Sequence, residues 1–116
     1  MPPMMKIYGI PNCDTVKKAR TFLERKKILF EFVDFKKTPP TPADIARWKE
    51  AMGEWPLNKK GPTFRKNQAE FDNLKSSQVT AFIIANSSMI KRPILEKDGK
   101  VLAFGYDEAT YNKILV

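Results

Sequence analysis

The sequence predicts an α/β fold in which a parallel strand–helix–strand unit is completed by an antiparallel hairpin. Three observations carry this. A short apolar run at 6–10 is followed by apolar residues at helical spacing and by a second apolar run at 28–35, and strand, helix, strand within about thirty residues is a βαβ unit. Near the other end, Asp98-Gly99 separates two strand-like runs, the signature of a two-residue hairpin turn. Between these halves, residues from about 42 to 90 carry helix signals and read as a helical insert.

Lys6–Ile10 is short, β-branched and aromatic, and Pro11-Asn12 ends it, so a buried strand is expected. Val16, Ala19, Phe22 and Leu23 then recur on one helical face, with Lys17, Lys18, Arg20 and Lys26 on the others. Asp14 and Thr15 are the expected N-cap residues of that helix. Ile28–Phe35 is apolar enough to be expected as a strand covered on both faces, reached by a right-handed crossover. The short proline-rich 36–42 reads as a loop rather than a linker between domains, because neither flank alone could bury a core. Thr41-Pro42-Ala43-Asp44 sets out a cap, an N1 proline and an early acid in the order a helix start requires, with Ile45, Trp48 and Met52 as its apolar face. Gly53–Lys66 mixes glycine, proline and aromatics and is expected to be irregular. Val79, Phe82 and Ile83 return to helical spacing. Ile94–Lys97 and Lys100–Phe104 flank the hairpin turn, and Asp107-Glu108 opens a terminal helix with Tyr111, Ile114 and Leu115 inward. That element order suits a thioredoxin-like α/β sandwich in a single domain over 1–116, with residues 1–4 as a disordered extension.

Hydrophobic residues make up 42% of the chain and charged ones 29%, the balance of a globular protein, and 116 residues can bury a core without disulfide or metal. No apolar run approaches the length of a membrane span. The opening Met-Pro-Pro-Met-Met-Lys lacks the apolar core of a secretory signal, and one cysteine cannot form an internal disulfide; a cytoplasmic protein is expected. The net charge of +8 is dispersed over separated lysine pairs, which suits attraction of small anions better than a nucleic-acid track. No exposed heptad or long apolar edge argues for assembly, so a monomer is expected. The chain has no histidine, which removes Cys–His and Ser–His nucleophilic pairs and Cys/His zinc sites together. No metal site and no bound cofactor are expected.

Chemistry must therefore run on Cys13, carboxylates, Lys, Arg and backbone amides. Cys13 follows a strand and precedes a helix, where unpaired N–H groups and the positive end of the helix dipole favour an anion. A thiolate is such an anion, so a lowered pKa is expected, with Lys17 one turn along and Asn12, Asp14 and Thr15 beside it. Free cysteines more often serve as small buried hydrophobes, so spacing alone leaves both readings open. Val16 stands where a Cys-x-x-Cys motif would place its second thiol. An oxidised Cys13 thus needs an external thiol, and glutathione is the abundant cytoplasmic one. Arg92-Pro93 reads either as a strand start with a solvated arginine or as a cis proline beside the thiol with Arg92 aimed at an anion. Arg65 divides in the same way between a solvated side chain and a loop-borne binding group.

The segments Tyr8–Arg20, Pro56–Lys66, Ile90–Leu95 and Phe104–Tyr111 resemble the arsenate reductase-like (ArsC/Spx/MgsR) family, and most closely its YffB branch. The resemblance covers almost the whole chain and implies a thioredoxin-like fold with a helical insert. In family arsenate reductases the thiolate at the Cys13 position attacks arsenate, arginines matching Arg65 and Arg92 lower its pKa and hold the oxyanion, and the proline matching Pro93 is cis. Glutathione, with glutaredoxin, completes turnover. Those reductases carry a third arginine after the hairpin, where this chain has Phe104 or Gly105. The YffB branch shares that loss, and there the resemblance implies glutathione-dependent thiol reduction. The family also contains Spx-type regulators, which bind the RNA polymerase α subunit without catalysis. Many of those use a Cys-x-x-Cys switch, which Val16 breaks here.

Overall fold

Strand β1 (Met5–Gly9) is flanked on both sides, parallel to β2 (Glu31–Asp34) and antiparallel to β3 (Ile94–Lys97), which in turn pairs antiparallel with β4 (Lys100–Phe104). The sheet order is therefore β2-β1-β3-β4. The computed structural model describes residues 5–115, so the expectation for residues 1–4 lies outside them. The chain forms two compact units, one of the residues up to Thr38 with those from Arg92 onward, the other Pro39–Lys91.

In the first unit the sheet carries helices α1 (Asp14–Arg25) and α5 (Glu108–Leu115). Met5, Ile7 and Leu95 share a core with Ala19, Phe22 and Leu23 of α1 and Tyr111 of α5. The alternation of β1 and the 3.6-residue period of α1 meet on this one face. A fully buried side chain of this kind contributes about 1.5–3 kcal/mol. Tyr111 sets its ring edge-on to Phe22, with centroids 5.6 Å apart, and its hydroxyl donates to the Gly105 carbonyl at 3.1 Å. Burial pushes its phenol pKa up, and the nearby Tyr106 adds to the shift. The β3–β4 turn places Asp98 at φ 52° and Gly99 at φ 81°, both left-handed, as a twist-matched two-residue hairpin requires.

Three expectations change here. The run at 28–35 yields only the four residues of β2. The reason is the end of α1: the N–H of Lys27 donates to the Glu24 carbonyl (3.0 Å) and that of Ile28 to the Leu23 carbonyl (2.9 Å), a Schellman closure that delays the strand. β2 then lies at the sheet edge with Glu31 exposed, so it is not covered on both faces. The N-cap of α1 is Cys13 itself, not Asp14 or Thr15. Ile114 of α5 is exposed, while Tyr111 is buried.

The second unit holds α2 (Pro42–Met52), α3 (Pro62–Asp72), α4 (Ser76–Ala85) and a 3-10 turn at Ser87–Met89. Thr41 caps α2 reciprocally: its hydroxyl accepts from the Asp44 N–H (3.1 Å), and the Asp44 carboxylate accepts from the Thr41 N–H (3.0 Å). Gly53 ends α2 at φ 80°. The segment expected to be irregular contains the start of α3, because Pro62 occupies N1, where its missing N–H costs nothing. Trp48 and Phe64 are buried with Ile45, Val79 and Ile83, and Phe71 meets Phe64 edge-on at 5.4 Å. These aromatics are packing residues. No helix among the described residues is long and apolar enough to cross a membrane. Thr41→Ala, which removes the cap, is expected to lower stability by about 1 kcal/mol, read as a fall in the urea midpoint without a change in slope.

Candidate active site

The approach to Cys13 is a tight turn. Gly9 ends β1 with its carbonyl accepting from the Phe35 N–H at 2.9 Å, and the Cys13 N–H closes back on the Ile10 carbonyl at 3.4 Å. Pro11 occupies the second position of that turn, where its fixed φ is pre-set. The chain thus arrives at Cys13 with φ −94° and ψ 123°, the extended conformation of an N-cap. The Cys13 carbonyl accepts the first helical bond, from the Lys17 N–H at 2.9 Å. N-caps are usually Ser, Thr, Asp or Asn, whose oxygen takes the N2 or N3 amide. Here a half-buried sulfur stands in that place.

The neutral thiol makes no capping hydrogen bond; the amides act on its anion. Burial is the largest single influence and raises the Cys13 pKa. Opposing it are the Val16 N–H, the charge of Arg92, the Thr15 N–H and a hydrogen bond from the Arg92 guanidinium. Together these prevail, and the thiol lies below its ordinary value. An acid whose folded pKa is depressed stabilises the folded state fully above its unfolded pKa, about 8.5 for a thiol. That contribution is lost as pH falls through the folded pKa.

Arg92 reaches the thiol from the loop before β3. The Arg92–Pro93 bond is cis and Pro93 is buried. The Pro93 carbonyl accepts from the Gly105 N–H at 2.7 Å, just past β4, and the Gly105 carbonyl accepts from Tyr111. Gly105 has φ 78°, a left-handed conformation in which a β-carbon is strained. A third arginine, expected in reductases at Phe104 or Gly105, is absent, and at Gly105 it would sit on a backbone suited to glycine.

The remaining site residues divide plainly. Asn12, Asp14 and Lys17 are exposed and Thr15 is half-buried. Asp14 is an acid in the first turn of α1, where the helix dipole favours it. Arg65 lies in the first turn of α3, in the second unit, and is exposed. The structure therefore brings the Thr15 amide and Arg92 to Cys13, with Asn12, Asp14, Lys17 and Pro93 in the same unit and Arg65 in the other. Two contributors went unnoticed in the sequence. Val16 matters through its N–H, although only its apolar side chain was legible. Gly9 matters through its missing side chain, since a β-carbon there would lie 2.7 Å from Val16 Cγ2. A glycine closing a strand just before a turn was the available signal.

A thioredoxin-like α/β architecture carrying one thiol at the N-terminus of its first helix is the class that fold and site define. The chain belongs to the ArsC family, whose model matches residues 8–114. It is similar to a solved YFFB protein at 34% identity, with a TM-score of 0.83 over 97% of this chain and 100% of that one. An arsenate reductase (ArsC) related protein from Brucella melitensis is 38% identical, with a TM-score of 0.73 over 97% and 94%. The global transcriptional regulator Spx of Listeria innocua is 28% identical over 97% of this chain and 87% of its own.

Val16 is fully buried and β-branched, so it cannot swing clear of an added methyl group. Gly9→Ala is expected to cost about 1–3 kcal/mol through overpacking and to slow alkylation of Cys13 at neutral pH by displacing the Val16 amide. Unfolding midpoint and iodoacetamide rate are measured together. A variant unchanged in both would show that the contact positions nothing.

Proposed function

We propose that the protein is a glutathione-dependent thiol oxidoreductase in which the Cys13 thiolate is the nucleophile. The observation that supports this most strongly is the sulfur at the N-cap of α1, with its pKa lowered by the Val16 amide, Arg92 and the Thr15 amide against the opposing effect of burial. The thiolate attacks one sulfur of an oxidised substrate disulfide; that S–S bond breaks, a Cys13 mixed disulfide forms, and the other half departs as a thiolate. With no second cysteine in the chain, an external glutathione thiolate attacks the substrate sulfur of the mixed disulfide and carries it away. Cys13 leaves as a thiolate, and its lowered pKa makes it a good leaving group. Arg92 holds the negative charge at both steps.

The family resemblance adds Arg65 as a second anion-holding guanidinium, Asn12, Asp14, Thr15, Lys17 and Pro93 as the rest of the binding surface, and glutaredoxin as a partner in turnover. A small oxyanion is the other electrophile that resemblance supplies. Arsenate reduction is the less favoured version, because the third arginine is missing. A second reading, a regulator that binds RNA polymerase without turnover, is favoured by the relatives named as global transcriptional regulators.

Exposure to oxidised glutathione followed by intact-mass measurement is expected to add one glutathione per chain, lost on adding reduced glutathione and absent in Cys13→Ser. A chain that takes up no glutathione while its thiol stays titratable would overturn the oxidoreductase reading. A polymerase pull-down undiminished by Cys13→Ser would then favour the regulator.

A further inference from the structure

The end of the sheet remote from Cys13 holds a concave site. β1 begins there with Met5, which pairs with Lys97 at the end of β3, and the connection leaving α1 brings Lys27 and Leu29 to the same place, closed by Leu102 of β4 and Ile114 of α5. Its volume is about 680 Å³, within the range of roughly 300–1,000 Å³ usual for small-molecule sites. α1 runs 12 residues between the thiol and this cleft, roughly 18 Å at the helical rise. The cleft is thus separate from the thiol site, and its binding chemistry is independent of the proposed function.

Three features of the cleft point to the chemistry of its occupant. Leu29 (75% exposed) and Ile114 (38%) are the large hydrophobic side chains left exposed among the described residues, and both line it. Two lysines, Lys27 and Lys97, line it as well, and no Asp or Glu among the described residues does. Lys27 is also held at φ 58°, at the position after the C-cap of α1 where the Schellman closure favours glycine and strains any β-carbon. Lysine at this position keeps a cation at the cleft that the relaxed residue would not provide. Apolar walls with two lysines and, among the described residues, no acidic side chain match a molecule with an apolar body and a single negative head.

We infer that this cleft binds a small amphipathic carboxylate, its chain or ring against Met5, Leu29, Leu102 and Ile114 and its head at Lys27 and Lys97. A neutral apolar molecule makes no use of the two lysines, and an amphipathic cation is repelled by them.

Decanoate is the probe, titrated into the full chain and followed by calorimetry and by amide resonances, with decanol and decylamine at the same concentrations. Saturable binding of one decanoate is expected, with resonance shifts at Leu29, Leu102 and Ile114 and none at Cys13. Decanol is expected to bind at least tenfold more weakly and decylamine not at all. Lys27→Gly relieves the backbone strain, so the variant folds at least as well; it is expected to weaken decanoate binding about tenfold, as is Lys97→Gln. The inference is overturned by absence of saturable binding, by decanol binding as tightly as decanoate, by shifts centred on Cys13, or by Lys27→Gly and Lys97→Gln that bind like the parent chain.

Discussion

A sulfur at the N-cap of α1 is held between two opposed effects. Burial disfavours its anion, while the amides of Val16 and Thr15 and the guanidinium of Arg92 favour it and prevail. In a chain without histidine no imidazole can take the proton, so ionisation of Cys13 rests on this balance. The helix terminus supplies its share without any side-chain chemistry, because the first-turn N–H groups have no intrahelical partner. Arg92 supplies the other share, and it must be brought in from a distant part of the chain.

Much of the first unit serves to keep those groups in register. The sheet core of Ile7, Leu95, Phe22 and Leu23 fixes α1 against β1 and β3. Gly9 lets the end of β1 approach the first turn closely enough for Val16 to seal the gap. On the Arg92 side, Pro93 is tied by its carbonyl to Gly105, and Gly105 by its own carbonyl to the buried Tyr111. The C-terminal helix is thereby linked through hydrogen bonds to the loop that carries the guanidinium.

Where local signals agree with one another, the sequence was legible. The apolar face of α1, the reciprocal cap on α2 and the Asp98-Gly99 hairpin are each specified within a few residues, and each stands where the pattern placed it. The thiol's setting between strand and helix could be read for the same reason. The cap itself could not, because cap preferences single out oxygen side chains such as Asp14 and Thr15, and a sulfur carries no such signal. β2 was over-read because apolar content does not distinguish an edge strand from a central one. α3 was missed because a glycine and proline that looked like breakers are its N-cap and N1. The meeting of Arg92 with Cys13 and of Gly9 with Val16 is tertiary, and no periodicity encodes it.

Whether the fold itself ionises Cys13 is tested most directly by ultraviolet absorbance of the thiolate, followed as pH is lowered. This chain has a single thiol, so the signal has one source. In the folded protein the midpoint is expected below that of the unfolded chain, returning to the ordinary thiol value of about 8.5 in concentrated urea. A folded midpoint at or above the unfolded one would contradict the account.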